Sequence, residues 1–370
     1  MNWLAPLALI PAGYQLTSIL ACLKRLQFRQ PLTGFTPPVS ILKPVRGADP
    51  AFWEAIQSQA EIDYPVYEVL FGVANEDDSA LPHIRRLQAE FPHKNIKIIK
   101  TSTAALNGKV GSLIDLERAA AYDTLVISDA DIKVPPDYLS KVIAPLEDPQ
   151  IGLVTCLYRA HAQTFAGLLE VIGVETDFAP SALVAPMVGV DEFAFGSTIA
   201  VRKADLARSG GLAPISDYIA DDYQIGKRIR ALGLQCVLAE TIVDTDMGAP
   251  SFGDAWRHQV RWARTIRVSR PGGYLGLFVT FATLWALVLA IAGNSPIAWA
   301  LLACRLAAAA LASVGVIHGT PAALFLTPLR DLLFLPVWIA GLFNRPVSWR
   351  GRIMRLAADG RIAANVSSDI

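Results

Sequence analysis

The chain has 370 residues, room for one large domain or two smaller ones, and its 33 basic and 33 acidic side chains leave a formal charge of zero. That balance removes the electrostatic case for nucleic acid as a partner. With 53% hydrophobic and 18% charged residues the chain is more apolar than an ordinary soluble enzyme, and its scattered Cys22, Cys156, Cys236 and Cys304 show no C-x-x-C pair or metal-ligand spacing, reading as buried thiols of a reducing compartment.

The apolar residues are concentrated at the two ends. Residues 2–22, NWLAPLALIPAGYQLTSILAC, carry no charge and are long enough to cross a bilayer. Lys24, Arg25 and Arg29 follow at once, which puts this flank in the cytoplasm under the positive-inside rule and favours a retained anchor over a cleaved signal peptide.

Beyond the anchor, short β-rich runs alternate with helical spacing. VSILKP (39–44), YEVLFGV (67–73), IKIIK (96–100) and LVISD (125–129) read as strands; WEAIQSQAE (53–61), ALPHIRRLQAEF (80–91) and VGSLIDLERAAAY (110–122) read as helices. Continuous apolar strands imply an α/β domain with a mainly parallel sheet covered on both faces, and ligands of such sheets bind beyond the carboxyl ends of the strands. Asp77, Asp78, Asp129 and Asp131 all follow strand ends, so they are expected at one rim. Neither G-x-G-x-x-G after a strand nor G-x-x-x-x-G-K-[ST] occurs, which argues against Rossmann dehydrogenases and P-loop nucleotidases. A diphosphate bound here would need a cation on strand-end carboxylates, and hard oxygen ligands suit Mg²⁺ or Mn²⁺.

Asp129-Ala130-Asp131 supplies such a pair: in an extended segment residues i and i+2 point the same way, so both carboxylates reach one ion. A plain strand-end turn is the alternative. Lys109, in Asn107-Gly108-Lys109 at the head of a helix, is either a phosphate or uracil contact or a solvated loop lysine. FGSTIAVRK (195–203) is a glycine turn into a strand whose Gly196 and Ser197 either line an acceptor pocket or simply turn the chain. Asp221 and Asp222, in YIADDYQIGKRIRALG, open a helix, where one carboxylate is expected to cap and the other to act as general base toward an acceptor hydroxyl.

WRHQVRWARTIRVSR (256–270) spaces Arg261, Arg264, Arg267 and Arg270 three apart, with Trp256, Val260, Ala263 and Ile266 on the other side: a basic amphipathic helix on anionic headgroups. Three apolar runs follow, at 274–293, 296–317 and 322–343. Three full spans would put Arg345, Arg350, Arg352 and Arg355 outside, against the charge rule, and Arg305, Arg330 and Asp331 interrupt the runs, so one run is open to a re-entrant or interfacial reading.

The order VSILKPVRGADP (39–50), GVANEDDSA (72–80), LNGKV (106–110), ISDADI (127–132), YIADDY (218–223) and HQVRW (258–262) resembles the ceramide glucosyltransferase family, membrane-bound inverting enzymes of the GT-A fold. The likeness runs from the first apolar segment to VSWRGRIMRLAADG (347–360). CLYRA (156–160), FGSTIAVRK and RWARTIR (261–267) look most like the bacterial hopanoid-biosynthesis-associated branch. The resemblance implies an N-terminal anchor at 1–23, a cytoplasmic GT-A domain at 36–250, an interfacial helix at 251–272, membrane or re-entrant helices at 273–344 and a basic tail at 345–370. It further implies a multi-pass protein of the bacterial inner membrane that moves a sugar, N-acetylglucosamine in that branch, from UDP to the lipid acceptor bacteriohopanetetrol. Glucosyl transfer to ceramide is the alternative, with a processive polysaccharide synthase and a non-catalytic scaffold further off.

Matched position by position, Asp78 is the first family aspartate and contacts the nucleotide, Asp129 the second, with Asp131 completing the D-x-D that holds the divalent cation, and Asp222 the third, the base. Arg261 and Trp262 close the (Q/R)-x-x-R-W signature on the donor side, while His258, an acceptor-side candidate with Gly196, Ser197 and Asp221, stands where the family has Gln or Arg. Asn75 and Glu76 also depart from the animal pattern beside Asp78.

Overall fold

The computed structural model describes residues 6–31, 33–349 and 352–363, so Arg350 and the ends of the expected anchor and tail lie outside the described residues. One compact unit comprises Arg29–Tyr158 and Asp191–Gly248; a second gathers the residues up to Phe28, Arg159–Val190 and those from Ala249 onward. The stretch 159–190, which the sequence reading put inside a continuous 36–250 domain, therefore belongs with the apolar ends.

The first unit is built on a sheet of eight strands: β1 (Val39–Val45), β2 (Tyr67–Val73), β3 (Asn95–Lys100), β4 (Thr124–Ile127), β5 (Ile132–Lys133), β6 (Ile151–His161), β7 (Ile199–Arg202) and β8 (Gln235–Asp246). Their order is β3-β2-β1-β4-β7-β6-β8-β5. The first four are parallel, with Val39 opposite both Tyr67 and Thr124, while β7 runs antiparallel to β4 and to β6. The apolar runs that lack strict alternation are explained by burial on both faces. Ile41, Val69, Phe71 and Val126 pack with Ile56, Ile84 and Leu87 in one layer. Leu42, Leu70, Leu125 and Ile127 pack with Val110, Leu113 and Ile225 in the other. Because β1, β2 and β4 are parallel, the turns after them open at the same edge. At a strand spacing of about 4.8 Å, β2 and β4, which flank β1, stand roughly 10 Å apart there.

In the second unit the helices Pro6–Gln27, Phe165–Val188, Ser295–Ile317 and Ala323–Leu342 are long and apolar enough to cross a membrane. Pro271–Thr280 and Ala282–Ile291 form a further pair bent by 52° at a short break, the geometry of either a broken span or a re-entrant loop. Phe165–Val188 was hidden from the hydropathy reading by Glu170, Glu175 and Asp177. Each of these acids has partners within the unit: Glu170 is bonded to His258 and Gln259, Glu175 accepts the Ser313 hydroxyl at 2.6 Å and the Thr320 N–H, and Asp177 pairs with Arg305 at 2.6 Å. Arg305 also meets Asp331 at 2.7 Å, with both side chains almost completely buried. Removing one partner of such a pair strands the other without water. Arg305→Met should lower the stability of the detergent-solubilised protein by about 3–5 kcal/mol, read as a drop in thermal unfolding temperature; an unchanged transition would show that the acids find other partners. The residues after 345 do not form a plain tail: Val347–Trp349, Arg352–Leu356 and Ile362–Ala363 pair as a small antiparallel sheet.

Candidate active site

Four segments of the first unit converge at the open edge of β1 and β4. The turn after β4 begins with Ser128, whose N–H still bonds to Leu42 on β1 at 3.1 Å, so the chain leaves the sheet only at Asp129. The Asp129 N–H donates to the Gly196 carbonyl at 3.2 Å, and the Thr245 hydroxyl on β8 donates to the Asp131 carboxylate at 2.6 Å. Both members of the D-x-D are thus tied to different parts of the sheet. Burial, then the neighbouring charge of Asp129, raises the proton affinity of Asp131 above the carboxylate norm.

Lys109 enters from the helix Gly108–Ala119. Asn107 caps that helix by accepting the N–H groups of Lys109 and Val110 at 3.1 and 3.4 Å, which fixes the first turn where Lys109 sits. Its ammonium lies 2.7 Å from Asp129 Oδ1 and 3.2 Å from Asp221 Oδ2. Burial pulls its pKa down, but Asp129, Asp221 and Asp222 more than offset this and the net shift is upward. Lys109 is no solvated loop lysine; it joins two aspartate clusters.

The helix Asp221–Ala231 brings the third aspartate. Neither acid caps through its side chain, because the capping position is Ala220. Asp221, expected on the acceptor side, is instead buried and committed to Lys109 and to the Asn107 amide at 3.4 Å. Asp222 Oδ2 accepts the Gly196 N–H at 3.1 Å and Oδ1 accepts the Tyr223 N–H at 2.7 Å. Desolvation and the charge of Asp221 push its pKa up to about 6, against the opposing pull of Lys109.

Gly196 therefore belongs to both clusters: its C=O receives Asp129 and its N–H reaches Asp222. A Cβ at this position would lie 2.7 Å from Asp129 Oδ2 and 3.1 Å from Lys109 Nζ, so any larger residue must displace these two side chains. Ser197, expected beside it on the acceptor side, turns into the sheet, buried, with its hydroxyl on the Cys156 carbonyl at 3.2 Å. Asp78 follows β2, and its carboxylate takes the N–H groups of Gly47 at 3.0 Å and Ala80 at 2.9 Å.

The sequence reading missed Lys43. This β1 residue is completely buried, and its ammonium donates to the Asp129 carbonyl at 2.7 Å and the Ser128 hydroxyl at 3.2 Å. Desolvation lowers its pKa to about 8 against the pull of Asp131 and Asp129, so it remains charged at neutral pH. The signal was a lysine inside VSILKP, a strand otherwise apolar enough to be covered on both faces.

The R-W helix, Phe252–Ser269, belongs to the second unit. Its apolar side divides: Val260 and Ala263 pack against Tyr274 and Val337, while Trp256 and Ile266 are exposed. His258 Nδ1 lies 3.0 Å from Glu170 Oε1, which also accepts the Gln259 amide at 2.9 Å, and its ring meets that of Trp262 at 4.9 Å. Arg261 lies one turn before Thr265, whose hydroxyl donates to the Arg261 carbonyl at 2.9 Å.

Among the described residues no group of three or more His, Cys, Asp or Glu is arranged to hold a metal. Asp129 and Asp131 still fit a hard divalent cation. Mg²⁺ in particular binds through one or two carboxylates and completes its shell with water and substrate phosphates.

The sequence pattern of the family described as Glycosyl transferase family 21 matches residues 3–362. Ceramide glucosyltransferase 1 of Caenorhabditis elegans is 28% identical over 206 residues, 55% of this chain and 44% of the relative. A beta-monoglucosyldiacylglycerol synthase of Synechocystis is 25% identical over 118 residues, 31% of this chain and 24% of the relative. The chain thus spans about half or less of the curated relatives it matches. Among solved structures, a mannosyltransferase from Pyrobaculum calidifontis in complex with GDP-Man and Mn²⁺ superposes with a TM-score of 0.53 at 20% identity, covering 92% of this chain and 97% of that one. The fold is the GT-A fold expected from the sequence.

Proposed function

The chain belongs to glycosyl transferase family 21, and from that premise we propose that it is a membrane-bound inverting glycosyltransferase moving a sugar from a UDP-sugar to the hydroxyl of a lipid. The observation that carries this reading is Gly196, whose C=O accepts the Asp129 backbone N–H and whose N–H donates to the half-buried Asp222 carboxylate, setting the two acids side by side. Lipid acceptors are supported by the apolar helices of this chain and by the names of its relatives, which act on ceramide or diacylglycerol.

Asp222 takes the proton of the acceptor hydroxyl as that oxygen bonds to the anomeric carbon. The bond from that carbon to the diphosphate breaks, UDP departs with the electron pair, and the configuration inverts. The two backbone N–H groups on Asp222 fix its carboxylate for this transfer. Asp129 and Asp131 hold a divalent cation, which when bound supplies positive charge against the departing diphosphate. Lys109 keeps Asp129 and the Asp221–Asp222 pair in register. Asp78, fixed by Gly47 and Ala80, contacts the nucleotide.

Within this reading the donor is UDP-N-acetylglucosamine and the acceptor bacteriohopanetetrol, on the strength of the CLYRA, FGSTIAVRK and RWARTIR strings. Ceramide glucosylation is the second reading, favoured by the 28% identity to the nematode relative. The setting is a bacterial inner membrane with the catalytic unit in the cytoplasm, supported by Lys24, Arg25 and Arg29 after the first apolar helix. Purified protein given UDP-glucose or UDP-N-acetylglucosamine with ceramide, bacteriohopanetetrol or diacylglycerol should yield N-acetylglucosaminyl bacteriohopanetetrol by mass. A ceramide product alone removes the hopanoid assignment, and no product from any pair removes the transferase reading. Stripping metal with EDTA should abolish transfer, with recovery on adding Mn²⁺ or Mg²⁺; turnover that survives chelation counts against the D-x-D role.

A further inference from the structure

Two lysines serve the D-x-D turn in different ways. Lys109 touches the Asp129 carboxylate itself and is partly accessible, its side chain 16% exposed. A cation arriving at the Asp129 carboxylate meets Lys109 directly. Lys43 is placed differently. Its side chain is sealed at 0% exposure, and its ammonium is bound to the Asp129 carbonyl and the Ser128 hydroxyl, atoms that a metal on the carboxylates does not contest. The Asp129 carbonyl also receives the Ile132 N–H at 3.3 Å, so the turn keeps a second support that does not depend on Lys43 charge.

We infer that Lys43 is a fixed positive charge beneath the donor site, lowering the affinity of Asp129 and Asp131 for a lone divalent ion and favouring the ion together with a nucleotide diphosphate. The inference rests on the donor-site reading above and makes Lys43 a positioning and electrostatic residue, since it touches only the turn. A buried unit charge acts over several ångströms with little screening. Its effect on a dication and on a diphosphate must therefore have opposite signs. That opposition separates a charge role from a merely structural one.

The test uses the full chain in detergent, with free Mn²⁺ followed by its electron paramagnetic resonance signal and UDP binding by calorimetry. Lys43→Met keeps the length and removes the charge. It should bind Mn²⁺ alone about tenfold tighter and UDP in the presence of Mn²⁺ about tenfold weaker. Lys43→Arg keeps the charge and should retain the wild-type order of affinities. In turnover the Met variant should raise KM for the UDP-sugar more than it lowers kcat. Loss of affinity for both ligands would make Lys43 a packing residue, and unchanged affinities would leave it without a part; either result overturns the inference. Should Lys43→Met fail to fold, Lys43→Gln supplies the same comparison. Wild-type protein that binds neither Mn²⁺ nor UDP would remove the donor-site reading itself, whereas normal wild-type binding with unshifted variants removes only the role of Lys43.

Discussion

Replacing Asp222 by asparagine should lower kcat by about 10³–10⁴-fold while leaving the affinity for UDP nearly unchanged. Asparagine keeps the shape but has one acceptor oxygen, so it can take only one of the N–H groups of Gly196 and Tyr223, and it takes no proton. In the wild type the base works only when ionised, and its pKa stands at about 6 through burial and the charge of Asp221. The sign follows directly: protonation below that value removes the acceptor of the hydroxyl proton. Transfer should fall about tenfold per pH unit on the acid side and level off above neutrality, in a kcat profile taken with saturating donor. Asp222→Asn should abolish that limb along with the activity. Retained turnover in the variant, or a flat profile in the wild type, would take Asp222 out of the role of base.

Gly196→Ala is expected to be nearly as damaging for a different reason. The new methyl would sit 2.7 Å from an Asp129 carboxylate oxygen and 3.1 Å from the Lys109 ammonium. The Asp129 backbone is held by its N–H to the Gly196 carbonyl at 3.2 Å, so the carboxylate makes room by rotating about its side-chain bonds. The methyl therefore separates Lys109 from Asp129 and turns the first carboxylate of the D-x-D. We expect at least about a hundredfold loss in kcat/KM, with weakened Mn²⁺ and UDP binding, while global stability changes little because the turn lies at the edge of the sheet. The contrast with Asp222→Asn is diagnostic: one substitution spares donor binding and the other does not. Wild-type Mn²⁺ and UDP affinity in Gly196→Ala would show that the close contact relaxes without cost to the site.

The parts of the fold legible in the sequence are those written in local pattern. The strands at 39–44 and 67–73 and the helices at 53–61 and 80–91 fall within a residue or two of the observed elements, because apolar runs and helical spacing report burial directly. The positions of Asp129 and Asp131 after β4 were legible for the same reason. What pattern does not carry is pairing across distance. Nothing near Asp221 says that Lys109 and Asn107 will claim it, and nothing near Ser197 says that the Cys156 carbonyl will. Lys43 was passed over because a charge in an apolar strand reads as an interruption until the carbonyl it serves is known. The helix Phe165–Val188 was missed because three acids on a hydropathy count look prohibitive until their partners are seen.

That helix also has a consequence for how the protein is made. Its acids emerge from the ribosome long before their partners: Asp177 waits for Arg305, Glu175 for Ser313 and Thr320, and Glu170 for His258 and Gln259. Synthesis runs from the N-terminus, so an interval of more than a hundred residues separates Asp177 from its arginine. During that interval the three acids of Phe165–Val188 lack these partners, so its stable placement should depend on the last helices. Membrane integration of this segment is thus a late event, and a nascent chain cut short before residue 305 should be cleared by quality control.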